Sequence, residues 1–239
     1  MESKLITHLA PKDPASEAYR SLRTNIQFAS PDDPLHTLLV TSPGVGEGKT
    51  LTAVNLAITL AQAGRKVLIV DSDLRRSTLH KLFSLDRAPG LCDILAKESD
   101  VKEVIGETRV PNLYIMSSGP SPPNPSELLG SKKMKTLIER LKKEFDNIIF
   151  DSPPVIPVTD ASVLAGYLDG VLMIIRMNLT HREALIRAKA MLDNVRARVI
   201  GIVVNDLHLE RGYGYYHHYY SYSEERGKGH PRAKRAEER

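Results

Sequence analysis

The sequence predicts an α/β domain, doubly wound around a mostly parallel sheet. Three observations predict it. Short apolar runs rich in β-branched residues recur along the chain. The intervals between them leave room for helices. A glycine-rich loop follows the first run and opens the first interval, at the position where an open α/β sheet binds its ligand. The chain has 239 residues, 41% of them hydrophobic and 26% charged, ordinary values for one globular domain with a tail.

The first element expected is a helix over Glu17–Phe28. Pro14 and Ser16 are its start signals, and Ser30-Pro31-Asp32-Asp33-Pro34 stops it. Strands are predicted at Thr37–Thr41, Lys66–Val70, Asn112–Met116, Asn147–Phe150, Gly170–Ile175 and Val199–Val204. Each reads as a continuous apolar run, the mark of a strand covered on both faces. Helices are predicted between them at Thr50–Ala63, Ser131–Glu144, Ser162–Leu168 and His181–Asn194. The chain then divides into an N-terminal segment with its helix (1–34), the α/β domain (35–206) and a tail (207–239). The tail is expected to be flexible, because the apolar periodicity stops after Asn205 and Pro231–Arg239 is almost wholly charged.

Composition removes several classes of protein. The net charge of +4 comes from 33 basic and 29 acidic residues, and four spare charges need not form the concentrated basic stripe of a duplex-binding protein, so nucleic acid is not an expected partner. The single cysteine, Cys92, excludes an internal disulfide and a multi-cysteine metal cage, and reads as a small buried hydrophobe. No apolar run approaches 18 residues, and the first 15 residues lack a signal-peptide core, so a cytoplasmic location is expected.

The strongest motif is Thr41-Ser42-Pro43-Gly44-Val45-Gly46-Glu47-Gly48-Lys49-Thr50, between a predicted strand and a predicted helix. Gly44, Gly46 and Gly48 let the backbone turn N–H groups toward phosphate oxygens, with Val45, Glu47 and Leu51 completing the nucleotide-binding stretch. Lys49 is expected to reach the β- and γ-phosphates, and the Thr50 hydroxyl to ligate Mg²⁺. Pro43 stands where the ordinary pattern has glycine. Asp71 and Asp73 follow one predicted strand and Asp151 another. Both strand ends should converge on the loop, with Asp151 holding the Mg²⁺ shell. The reading at this level is a Mg-nucleotide enzyme or switch. Asn205, just past the last strand, is the candidate contact to the base, while Asn178 and Thr180 are candidates for local capping.

Two further features lie outside the loop. Tyr213, Tyr215, Tyr216, Tyr219, Tyr220 and Tyr222 are six of the nine tyrosines, follow no helical or strand period, and are flanked by glycines. A flexible string of phenols beside a phosphoryl-transfer site makes the phenols candidate acceptors. An aromatic interaction tail, or a metal tract using His217 and His218, are the competing readings. On the first helix, Glu17, Arg20 and Arg23 form a charged ridge at i, i+3, i+6. It is either a solvated face or one that meets a neighbouring subunit. His8, His36, His80 and His208 form no pattern in the sequence.

These pieces together resemble the bacterial tyrosine kinases of capsular and exopolysaccharide biosynthesis, which share the P-loop fold of the MinD/ParA-like partitioning ATPases. The resemblance runs from about residue 12 to the C-terminus. It is carried by Glu17–Ile26, the loop 41–50, Val70-Asp71-Ser72-Asp73-Leu74-Arg75-Arg76, Pro122–Leu129, Phe150-Asp151-Ser152-Pro153-Pro154 and the tyrosine-rich tail. It implies an ATP- and Mg²⁺-dependent protein-tyrosine kinase that phosphorylates its own tail in trans. Lys49, Asp71, Asp73 and Asp151 are the implied catalytic residues, with Thr50, Asp71 and Asp151 on the metal and Asp73 orienting or deprotonating the tyrosine hydroxyl. Arg75 and Arg76 are implied contacts to phosphate or substrate. The Glu17/Arg20/Arg23 helix is implied in a ring-shaped homo-oligomer. A transmembrane chain-length regulator is the implied activator, recruiting the kinase to the inner face of the membrane, and a cognate tyrosine phosphatase and further protein substrates are implied partners. Two positions depart from the family: Val45 and Ser77 stand where proline is frequent. The alternatives are a MinD/ParA-like ATPase switch, whose early loop lysine would fall at Gly44, and a nucleotide-binding adaptor.

Overall fold

The computed structural model describes residues 5–31, 34–97 and 100–206, and the six tail tyrosines lie outside these. The strands are β1 (Thr37–Thr41), β2 (Val67–Asp71), β3 (Ile105–Glu107), β4 (Leu113–Met116), β5 (Asn147–Asp151), β6 (Gly170–Arg176) and β7 (Val199–Asn205). They form one sheet in the order β3-β4-β2-β5-β1-β6-β7. Every pair is parallel except β3–β4. The helices are α1 (Ile6–Leu9), α2 (Pro14–Phe28), α3 (Lys49–Gln62), α4 (Leu79–Leu82), α5 (Leu91–Lys97), α6 (Val101–Val104), α7 (Pro125–Leu129), α8 (Lys132–Leu141), α9 (Asp160–Ala165) and α10 (Arg182–Asn194).

The central strands are buried along their whole length, and successive side chains serve opposite faces. Leu38, Val40, Ile69 and Ile149 pack with α3 on one face. Leu39, Leu68, Val70, Ile148 and Phe150 pack on the other with Met134, Leu137 and Leu141 of α8 and Leu192 of α10. The α8 residues recur at i, i+3 and i+7, the stripe a helix needs to lie on a sheet. Helix α3 is buried on nearly every side, because α1 and α2 cover what the sheet does not. Asn55 ties the layers together: its Oδ1 accepts from the Thr7 N–H (3.1 Å) and hydroxyl (2.9 Å), and its Nδ2 donates to the Leu51 carbonyl (2.9 Å). Cys92 is buried, as a small hydrophobe there should be.

The six predicted strands are present with ends shifted by a residue or so, while several helix ends differ for local reasons. Helix α2 begins at Pro14, three residues earlier than expected. Its cap is Asp13, which accepts from the Ala15 N–H at 2.8 Å. Ser16 instead turns inward, its one hydroxyl proton shared between the carbonyls of Ala10 (2.7 Å) and Ile6 (3.1 Å). Helix α9 runs over Asp160–Ala165 rather than 162–168, and α8 stops at Leu141. Strand β3 and the short helices α1 and α4–α7 were not foreseen. Each is three to seven residues long, too short to display a period.

Carboxylates also staple the amino ends of the strands. Asp169, just before β6, accepts from the backbone N–H groups of His36 (3.0 Å) and Thr37 (2.8 Å) and from Lys142 Nζ (3.0 Å). Asp146, before β5, accepts from the Lys66 N–H at 2.8 Å.

Candidate active site

The phosphate loop joins β1 to α3. Gly48 caps the helix in the left-handed region at φ 92°. A Cβ at that position would also lie 1.9 Å from Asn205 Nδ2, so any other residue would strain the backbone and displace the Asn205 side chain. Asn205 donates from Nδ2 to the Glu47 carbonyl at 3.2 Å and so braces the loop from the end of β7. Because α3 starts at Lys49, the N–H groups of Lys49, Thr50 and Leu51 are first-turn donors with no acceptor inside the helix. They add to the positive end of the helix dipole, an arrangement suited to phosphate.

Glu47 organises the rest of the loop. Its side chain is buried, its Oε2 accepts from the Gly44 N–H at 2.8 Å, and its Oε1 accepts from the Thr180 hydroxyl. The Gly44 N–H, expected to face phosphate, is therefore engaged within the loop. Thr180 in turn accepts from the Arg176 N–H at 2.9 Å, so the residue read as a local cap also fastens the segment after β6 to the loop. Val45 is exposed at the tip.

Asp71 and Asp151 face each other as register partners on β2 and β5. Asp71 is wholly buried and Asp151 is 2% exposed. Asp71 Oδ2 is well satisfied, but Oδ1 of Asp71 and Oδ1 of Asp151 are buried with no hydrogen-bond partner. Burial and the Asp71 charge push the Asp151 carboxyl up to about 8, with Asp73 adding to the rise; the Thr50 hydroxyl and the Lys49 charge oppose it. Burial pushes Asp71 up to about 6, against the pull of its hydrogen bond from Ser77. Lys49 acts on Asp151 but does not offset burial, and no cation among the described residues offsets Asp71, so the pair is short of counter-charge. Mg²⁺ fits the donor set of Asp71, Asp151 and Thr50, all oxygen ligands beside a phosphate cradle. Among the described residues no cluster of three His, Cys, Asp or Glu side chains could hold a metal alone. A Mg²⁺ that shares its coordination with phosphates and water needs none.

The remaining predicted residues fall as follows. Asp73 sits half-buried on the loop after β2, its Oδ1 accepting from the Arg76 N–H at 2.8 Å. Arg75 makes a two-pronged ion pair with the fully buried Asp160, at 2.9 and 3.0 Å, so its guanidinium is held by the protein's own acid instead of a phosphate. Arg20 pairs with Glu17 along α2 and also donates to the Pro11 carbonyl. Arg23 donates to the Thr59 carbonyl at 2.7 Å and braces α2 on α3. A cavity of about 230 Å³ lies at the other end of the sheet, against α2 and the starts of β1 and β5, and among the described residues no acid and no residue of the phosphate loop lines it.

A buried helix springing from a glycine-rich loop, with paired acids on neighbouring parallel strands, defines a P-loop nucleotide-binding protein. The AAA domain family matches residues 39–199. The fold is shared by the septum site-determining protein MinD of Pyrococcus horikoshii, solved as a complex with Mg-ADP, at a TM-score of 0.61 and 23% identity over 71% of this chain and 69% of that one. The tyrosine-protein kinase YwqD of Bacillus subtilis (strain 168) is 40% identical over 218 residues, 90% of this chain and 92% of that protein. The kinase domain of the Escherichia coli tyrosine kinase ETK matches with a TM-score of 0.83 at 31% identity, over 87% and 82% of the two chains. The chain belongs to the bacterial tyrosine-protein kinases.

Proposed function

We propose that the chain transfers the γ-phosphoryl group of ATP to Tyr213, Tyr215, Tyr216, Tyr219, Tyr220 and Tyr222 of another copy of itself, and thereby regulates capsular or exopolysaccharide synthesis and export. The observation that carries the chemistry is the pair of buried, unpartnered carboxylate oxygens beside Lys49 and Thr50. A phenol oxygen attacks the γ-phosphorus, the bond to the bridging β–γ oxygen breaks, and ADP departs with that electron pair. The phenolic proton, held at a pKa of about 10 in water, passes to the Asp73 carboxylate. Lys49 faces the charge on the phosphoryl oxygens, and the first-turn amides of α3 hold the phosphate chain. Mg²⁺, when bound through Thr50, Asp71 and Asp151, neutralises the nucleotide's negative charge.

The three tyrosines outside the tail support the choice of acceptor. Tyr19 hydrogen-bonds Thr52, Tyr167 donates to the Leu129 carbonyl, and Tyr114 packs edge-on against Phe145 at 5.5 Å. All three are half-buried and serve the fold. The family likeness supports a transmembrane activator, a ring-shaped homo-oligomer, a cognate phosphatase and recruitment to the membrane's inner face. In the ring, Glu17 and Arg20 contribute the exposed part of the ridge while Arg23 keeps its place on α3. No helix among the described residues is long and apolar enough to cross a membrane.

Intact-mass analysis and peptide mapping after incubation with Mg·ATP and the activator's cytoplasmic peptide test the reading. Several phosphate additions within Tyr213–Tyr222, absent in Lys49→Met, are expected. ATP hydrolysis with no added mass would transfer the site to an ATPase switch.

A further inference from the structure

One hydrogen-bonded chain enters the site from the side and has no part in the chemistry above. Asp71 Oδ2 accepts from the Ser77 hydroxyl at 2.7 Å and from the N–H groups of Leu79 (3.1 Å) and Thr78 (3.2 Å). Ser77 Oγ lies 3.1 Å from His80 Nδ1. Ser77 is 8% exposed, while His80 is half-buried and closes the chain toward the surface. A serine hydroxyl has one proton. Donated to Asp71, it leaves only lone pairs toward His80, so Nδ1 carries the ring hydrogen and donates. The imidazole thus aims the hydroxyl, and the hydroxyl aims the carboxylate. Three donors fix Oδ2, and a planar carboxylate with one oxygen fixed has its other oxygen fixed as well. That other oxygen is the buried, unpartnered Oδ1.

We propose that Ser77, oriented by His80, is a positioning residue that sets the aim of Asp71 Oδ1 toward the Mg²⁺ of the bound nucleotide. The proposal rests on the Mg-nucleotide reading of the site. Groups that orient metal-ligating carboxylates change metal affinity by about 10- to 100-fold.

The test is the binding of N-methylanthraniloyl-ADP to the full chain, titrated with Mg²⁺ and compared with binding in EDTA. Ser77→Ala should raise the Mg²⁺ concentration at half-saturation by about 10-fold and leave affinity in EDTA unchanged. Ser77→Thr, which keeps the hydroxyl, should restore the wild-type value. His80→Ala should raise it by about 3-fold, the effect of one lost hydrogen bond. Ser77→Ala/His80→Ala should be no weaker than Ser77→Ala, because His80 acts through Ser77. An unchanged Mg²⁺ midpoint in Ser77→Ala overturns the proposal. Equal loss of binding in EDTA does so too, since it would make Ser77 a turn-closing residue only. If Ser77→Ala does not fold, an unchanged midpoint in His80→Ala overturns the proposal and a raised one supports it. Wild-type binding with no Mg²⁺ dependence would instead remove the Mg-nucleotide reading on which the proposal rests.

Discussion

At the amino ends of the strands, Asp169 gathers two backbone N–H groups and the Lys142 ammonium; at the carboxyl ends, Asp71 and Asp151 each keep one buried oxygen with no partner. Burial pushes the Asp169 carboxyl up, but Lys142 and Thr37 outweigh it and hold the group below the usual range. At the other end burial wins, helped by the Asp71 charge at Asp151 and the Asp73 charge at both, and both carboxyls rise. The same residue type therefore stabilises one end of the sheet and strains the other. Strain of this kind survives where a ligand, absent from the unfolded chain, supplies the missing charge.

Asp151→Asn tests the contrast most sharply, because its effects on rate and stability have opposite sign. Tail phosphorylation should fall by about 100-fold or more, as when a group stabilising transferred charge is lost. The nucleotide-free protein at pH 8.5 should nevertheless melt higher. Relief of an under-compensated buried charge is worth about 1–3 kcal/mol, or roughly 2–12 °C for a domain of this size. Calorimetry beside a phosphorylation assay checks both, and a lower Tm in the variant would mean that the pair is structural.

The pH dependence follows from the same groups. A carboxyl whose pKa is raised on folding binds more protons in the folded chain than in the unfolded one. Its contribution is then fully present below the unfolded pKa of about 4 and is lost as pH rises through the folded value, about 8 for Asp151. The Tm of the nucleotide-free wild type should therefore fall between pH 5 and 8 (on the order of those limits), and Asp151→Asn should flatten the upper part of that fall. Saturating Mg·ADP should flatten it as well. A wild-type Tm that rises over this window would contradict the raised carboxyls.

Asp169→Ala should do the reverse of Asp151→Asn. Losing an acceptor shared by two amides and an ammonium costs about 2–3 kcal/mol, or roughly 4–12 °C in Tm. The phosphorylation rate at a temperature where the variant remains folded should stay within about twofold, since surface staples away from the site act on stability alone.

The contrast between the two ends was half legible in the sequence. Continuous β-branched runs announced six strands, and the topology of parallel sheets then placed Asp71, Asp73 and Asp151 at the end that binds ligands. Nothing in the sequence set Asp71 and Asp151 side by side, because that depends on β2 and β5 being neighbours. Glu47 read as a loop residue; that its carboxylate folds back on Gly44 and meets Thr180 needed coordinates. The same holds for Asp160, which takes up Arg75 across 85 residues of sequence. An acid just ahead of a predicted helix was a visible signal for its place, but not for its partner. Ser77 and His80 carried no recognisable spacing, and their link to Asp71 comes from the turn into α4, a helix too short to be read.

Asp146→Ala is the mildest test of the amino-end staples, and its size can be reasoned from the bonds that remain. Asp146 and Lys66 make a reciprocal pair: the Lys66 N–H donates to the Asp146 carboxylate at 2.8 Å, and the Asp146 N–H donates to the Lys66 carbonyl at 2.9 Å. Alanine removes only the first of these. Asp146 is exposed, so water replaces the lost acceptor and no buried donor is stranded. The loss should be about 0.5–1 kcal/mol, or roughly 1–4 °C, against the larger loss for Asp169→Ala at the same end. If the two variants lowered Tm equally, the number of donors gathered by a carboxylate would not set its worth. The contrast between satisfied and unsatisfied acids would then need another cause.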